Sequence, residues 1–116
     1  MHELSVTKRI FQIVMEHALR GGANRVVSVN LEIGVLSDLQ EEWLQRYFDH
    51  LSAGSIAEGA RVNVEKVPAL FFCDDCRSAF ELDSVPPEAL HCVHCQSSEV
   101  SLISGGEYRV KNIEVL

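Results

Sequence analysis

Positive charge is scarce in this chain: 10 Lys and Arg stand against 17 Asp and Glu in 116 residues, a formal charge of −7. The cations form no clustered run, so phosphate backbones and anionic membrane surfaces are not expected partners. Long hydrophobic runs are missing too. The longest, Ala69-Leu70-Phe71-Phe72, is far too short to cross a bilayer. The opening Met1-His2-Glu3-Leu4 carries no basic segment leading into an apolar one, which argues against a secretory signal and for a cytoplasmic chain. Catalytic signatures are absent as well: there is no Walker loop, G-x-G-x-x-G, G-x-S-x-G or H-E-x-x-H. Glu41-Glu42 and Asp74-Asp75 are adjacent carboxylates that point apart on a helix or sit in solvent. The expectation is a carrier or interaction protein, not an enzyme. A hydrophobic content of 47% suffices for a packed domain and argues against disorder.

Cysteine is sparing but patterned. The four form two pairs, Cys73-x2-Cys76 and Cys92-x2-Cys95, with fifteen residues between them. Each C-x-x-C brings two sulfurs to one ion, and two such knuckles close a tetrahedron that suits Zn2+ and leaves no position open for a substrate. Without an export signal, a metal site is favoured over two disulfides. His91 and His94 flank the second pair and offer nitrogen ligands, but four cysteines already satisfy zinc. The reading for these histidines is exposed loop residues.

Periodicity places the rest. Val6, Ile10, Ile13, Val14 and Ala18 recur at helical spacing over residues 4–20, with Gly21-Gly22 as the stop. Val27, Val29, Leu31 and Ile33 alternate with polar residues over 25–34, as in a strand lying on a core. Ser37-Asp38-Leu39-Gln40 has the form of a capping box for a second helix over 39–51, with Trp43 on its packing surface. Residues 61–67 alternate again and stop at Pro68, and 108–115 reads as a final strand. The fold class is α+β: a small sheet of about three strands covered by two helices, with an inserted four-cysteine zinc-knuckle lobe. The expected division is residues 1–69 plus 103–116 as one domain and 70–102 as the zinc lobe. That lobe contains Pro86-Pro87 and little periodicity, so the metal is expected to supply its order. His17 and His50 read as packing or helix-end residues.

The amino end holds a second place for chemistry. A bulky second residue protects Met1 from removal, so the terminal amine, the His2 amide nitrogen and His2 Nδ1 can chelate one ion through fused rings. Flat nitrogen ligation of this kind suits Ni2+ or Cu2+ and resists Zn2+. The same residues equally describe a solvated, frayed terminus, and Glu3 a surface charge favoured by a helix dipole. Residue types alone leave both readings open.

Met1-His2-Glu3-Leu4-Ser5, the segment Leu31-Glu32-Ile33-Gly34-Val35-Leu36-Ser37 and the paired knuckles together resemble the HypA/HybF family of hydrogenase maturation proteins. The Gly59 region and Ile113-Glu114-Val115 extend the resemblance over essentially the whole chain. It implies a nickel metallochaperone with His2 as the side-chain Ni2+ ligand and Met1 and Glu3 supplying backbone groups. It also implies Cys73, Cys76, Cys92 and Cys95 as ligands of a structural Zn2+. The implied partners are a nickel-handling GTPase, the precursor of the [NiFe]-hydrogenase large subunit and urease maturation proteins. One departure is Cys92-Val93-His94-Cys95, where many relatives have C-P-x-C; losing the proline frees one φ and restores one N–H. The rivals are a zinc-ribbon interaction module, which the acidic balance disfavours on nucleic acid, and a dithiol redox protein.

Overall fold

The computed structural model describes residues 3–84 and 90–116. Met1, His2 and Pro86-Pro87 lie outside the described residues. The order of elements is α1 (Glu3–Arg20), β1 (Val26–Gly34), α2 (Glu41–Ser52), β2 (Arg61–Val67), β3 (Ala69–Cys73), β4 (Ala79–Leu82), β5 (Val100–Ser104) and β6 (Tyr108–Val115). The chain divides into two compact units, one of residues 1–32, 38–65 and 109–116, the other of 33–37 and 66–108.

In the first unit, α1 buries Glu3, Thr7, Ile10, Val14 and Ala18, a stripe at three-four spacing that begins with two polar residues. The helix ends as its glycines dictate. Gly22 sits at φ 69°, its N–H donates to the Leu19 carbonyl (3.2 Å), and the Ala23 N–H reaches back to Ala18 (3.0 Å). These two bonds satisfy last-turn carbonyls that the helix leaves open. On α2 the buried positions are Leu44, Phe48 and Ser52, and Phe48 meets Phe11 of α1 edge-on at 5.8 Å. Trp43 lies on the outer side, 39% exposed, stacked on Tyr47 with the Arg46 guanidinium 5.0 Å above its ring. Burying Ile10, Val14, Leu44 and Phe48 together with Val26, Val29 and Leu31 of β1 stabilises this core by about 1.5–3 kcal/mol per side chain.

The capping box expected at Ser37 does not form. Helix α2 starts at Glu41 with Gln40 as its N-cap, extended at φ −107° and ψ 128° and without a side-chain cap bond. The Gln40 carbonyl accepts from Leu44 N–H (3.1 Å). Its own N–H donates to Glu3 Oε2 at 3.2 Å. A carboxylate from α1 therefore engages the start of α2, where the helix dipole favours negative charge.

Three strands form one sheet in the order β2-β1-β6. Asn63 pairs with Asn30 through their side chains, and the Val35 N–H bonds the Val67 carbonyl, so β1 and β2 advance in the same direction. They are parallel strands joined through α2, a compact crossover unit. Contacts of Arg109 with Glu32, Asn112 with Asn30 and Glu114 with Ser28 advance oppositely, so β6 is antiparallel to β1.

The second unit holds a sheet that periodicity does not reveal, in the order β4-β3-β5. Phe71 pairs with Phe80 on β4 and with Leu102 on β5. Ala69, Phe71, Cys73, Phe80 and Cys92 are buried together, with Val35, Leu82, Leu90 and Val100 packed against them. The cysteine segment thus has an apolar core of its own, which corrects the expectation that metal alone orders it. Phe71 and Phe80 stack with ring centres 5.6 Å apart.

Gly34 closes β1 where no side chain fits. A Cβ there would lie 1.9 Å from the Gly105 carbonyl oxygen, a backbone atom that cannot swing aside. Gly105 itself holds φ 144°, and a Cβ on it would meet Ala69 Cα at 2.8 Å. Gly34→Ala is expected to cost about 1–3 kcal/mol or more by overpacking. In urea unfolding this appears as a lowered midpoint with an unchanged slope; an unaltered midpoint would show that the two backbones separate freely.

Candidate metal centre

The two knuckles are copies of one local design. In the first, Cys73 N–H bonds the Ser78 carbonyl (2.9 Å) and Arg77 N–H bonds the Cys73 carbonyl (2.9 Å). In the second, Cys92 N–H bonds the Ser97 carbonyl (2.8 Å) and Gln96 N–H bonds the Cys92 carbonyl (3.0 Å). Closing each turn puts the residue after the second cysteine in the left-handed region, Arg77 at φ 59° and Gln96 at φ 67°. That conformation costs an L-residue roughly 1–2 kcal/mol. Backbone N–H groups also point at sulfur: Cys76 N lies 3.4 Å from Cys73 Sγ and His94 N 3.3 Å from Cys92 Sγ. Donors so aimed favour thiolates.

All four sulfurs lie within 4.8 Å of one another. The closest contacts run between knuckles, Cys73 to Cys95 at 3.6 Å and Cys76 to Cys92 at 3.7 Å. Four sulfurs about 2.3 Å from a central ion stand roughly 3.8 Å apart at the corners of a tetrahedron, so the spacing fits that ion and is far too long for a disulfide. The four cysteines are free, with the first of each pair buried and the second exposed. An all-sulfur, four-cornered set of this size is suited to zinc.

Packing four thiols together sets them against one another. The Ser78 hydroxyl, 3.0 Å from Cys76 Sγ, and the neighbouring Cys73 and Cys92 hold the Cys76 thiol down at about 6 despite its desolvation. Cys95 takes the opposite burden. The Ser97 backbone favours its thiolate, but desolvation and the crowding of Cys73, Cys76 and Cys92 push it up to about 12. One sulfur ionises readily and another refuses, as like charges at this spacing must. A divalent cation removes the conflict, because it makes every thiolate favourable at once. Asp75 accepts a hydrogen bond from Ser97 and so links the two knuckles.

The remaining candidates fall elsewhere. His91 and His94 are exposed and stand outside the sulfur cluster; the His94 ring meets Phe80 edge-on, with centres 6.4 Å apart. His17 is exposed on α1, and His50 lies in the last turn of α2. At the amino end, Glu3 is 6% exposed. Its carbonyl accepts from the Thr7 hydroxyl and its carboxylate accepts from Gln40 N–H. Sequence reading misses this anchoring of Glu3, because its partner stands 37 residues away. It also misses Ser78 and the Asp75–Ser97 link, at which only the i+2 placement of serine after each knuckle hints.

Among the described residues, no helix is long and apolar enough to cross a membrane. Residues 1–115 match the family model described as HypA, hydrogenase/urease nickel incorporation, metallochaperone. The hydrogenase maturation factor HypA of Dechloromonas aromatica is 38% identical over 99% of both chains. The hydrogenase maturation factor HybF of Klebsiella pneumoniae is 34% identical over 98% of both. Among solved structures, the Ni metallochaperone HypA of Helicobacter pylori superposes with a TM-score of 0.67 at 26% identity, over 100% of this chain and 98% of that one. A second HypA solution structure gives 0.73 at 27% identity, over 100% and 97%. This chain is therefore a member of the HypA family of nickel-incorporation metallochaperones that act in hydrogenase maturation.

Proposed function

We propose that this chain binds Ni2+ at its amino end and delivers it to the precursor of a [NiFe]-hydrogenase large subunit, in the cytoplasm. In this reading His2 provides the side-chain ligand and Met1 and Glu3 provide backbone groups. A nickel-handling GTPase gives the transfer its direction, since the chain has no nucleotide motif of its own, and urease maturation proteins are further recipients. The family match along residues 1–115 carries the proposal. The anchoring of Glu3 at both its carbonyl and its carboxylate supports it, because the residue bounding the proposed chelate is held in place. A terminal site that exchanges with solvent also suits a carrier, which has to release what it binds.

Cys73, Cys76, Cys92 and Cys95 would hold Zn2+ as a closed, structural site. The ion would neutralise four crowded thiolates and tie the knuckles to each other. The residues around it act without it: Ser78 and the knuckle N–H groups orient the sulfurs, while Phe71 and Phe80 exclude water from the buried pair.

Calorimetry tests the nickel reading on the native chain, on His2→Ala and on a form with residues added before Met1. Losing even an outer partner of a metal ligand costs about 10–100-fold in affinity, so both changes are expected to weaken Ni2+ binding by at least that much. Affinity should also fall on acidification through the range where imidazole and the α-amine take protons, about 6.5 to 8. Undiminished binding in both variants would remove the amino end from consideration. For the zinc reading, metal analysis should give one zinc per chain. Chelation should raise thiol reactivity sharply and melt the second sheet while the helices persist. Equal reactivity of the four thiols before and after chelation would count against a bound ion.

A further inference from the structure

The sulfur cluster lies half inside the protein and half in solvent. Cys73 and Cys92 are 0% exposed, whereas Cys76 and Cys95 are exposed. Each of the two closest sulfur contacts joins one of each kind, and each crosses from one knuckle to the other. Cys73 meets Cys95 at 3.6 Å and Cys76 meets Cys92 at 3.7 Å. A sulfur that oxidants can reach, beside a second one able to displace the product, is the arrangement of a reversible redox pair. The cluster contains it twice.

Sulfur is not all that joins the knuckles. Asp75 accepts from the Ser97 hydroxyl, and the Asp74 N–H donates to the Glu99 carbonyl at 2.8 Å. Cys73 and Cys92 also share one apolar cluster with Phe71 and Phe80. These contacts hold the opposed sulfurs facing each other at the moment an ion loses its first ligand. To reach a disulfide's length of roughly 2.05 Å, each pair then closes by only about 1.5 Å, within the reach of side-chain rotation.

We propose that the four cysteines are a site of reversible oxidation by hydrogen peroxide, in which two disulfides, Cys73–Cys95 and Cys76–Cys92, replace the bound ion and keep the knuckles joined. An exposed thiolate, Cys76 or Cys95, attacks the peroxide; an S–O bond forms, the O–O bond breaks and hydroxide leaves. The buried thiolate opposite then attacks that sulfur, forming the S–S bond and expelling a second hydroxide. Two protons from solvent convert the hydroxides to water, so each disulfide consumes one peroxide and two protons. The inference rests on the placing of the sulfurs and not on which ion they hold. A purified chain without zinc would therefore sink the zinc reading and leave this one to its own test.

The test treats the full chain, as purified with its metal, with excess hydrogen peroxide, alkylates it in denaturant and digests it with trypsin in the absence of reductant. Cleavage at Lys66, Arg77 and Arg109 yields two fragments, 67–77 with Cys73 and Cys76, and 78–109 with Cys92 and Cys95. They are expected as one linked species without an alkylated cysteine, and a thiol reductant should restore all four thiols. In Cys95→Ser, the same pairing leaves Cys73 as the one alkylated cysteine; the digest of the native chain reads the links even if that variant fails to fold. The oxidised native chain should also keep slow amide exchange in β3, where the reduced, chelated chain loses it. Separate fragments with internal disulfides, irreversible sulfinic or sulfonic acids, or thiols that survive the peroxide would each overturn the proposal. So would an alkylated Cys76 in Cys95→Ser, or a second sheet that opens on oxidation.

Discussion

Four sulfurs within 4.8 Å of one another cannot all be charged unless a cation lies among them. Cys73 and Cys92 are fully buried and belong to the same apolar cluster as Phe71 and Phe80. The electrostatics of the knuckles is therefore also a condition on packing: ionised, unpaired thiolates in that cluster would repel one another and expose it to water. The backbone is already committed to the arrangement. Two left-handed residues, Arg77 and Gln96, are held by turns whose only evident purpose is to aim sulfurs inward. Strain of that kind persists where the surroundings over-determine it.

In the reading proposed above, the amino end is governed by the opposite requirement. A carrier's cargo has to leave, so a closed cage of sulfur would serve poorly and an accessible nitrogen chelate serves well. What the fold contributes is position. Glu3, the first residue of α1, is fixed through Thr7 on its own helix and through the Gln40 N–H at the start of α2. One buried carboxylate thereby links two helix termini, and it does so at the N-terminal end of each, where helix dipoles favour its charge.

How much of this is legible in the sequence follows from the range of the interactions. Helix α1 and strands β1, β2 and β6 can be placed to within a residue or so, because stretches of apolar periodicity are bounded by the breakers Gly21-Gly22, Gly34, Pro68 and Gly105-Gly106. The start of α2 is misplaced because Ser37 and Gln40 match a local capping signature, whereas the interaction that forms is long-range, from Glu3. Strands β3, β4 and β5 go unseen because each is only four or five residues long and the knuckles interrupt the alternation of Ala69, Phe71 and Cys73. The cysteine cluster itself is readable from spacing alone, since two C-x-x-C turns have few other uses. Its mutual strain is not, because it depends on which sulfur Ser78 and Ser97 face. Gly34 reads as part of a familiar segment, and only its approach to Gly105 explains why a side chain is excluded there.

The central claim is that two ions are sorted by ligand chemistry, one by four thiolates and the other by nitrogens at the chain's beginning. X-ray absorption at both metal edges, on protein loaded with one equivalent each of zinc and nickel, tests this most directly. The account predicts four sulfur neighbours around zinc at about 2.3 Å, and only nitrogen or oxygen around nickel. A sulfur shell at the nickel edge would contradict it.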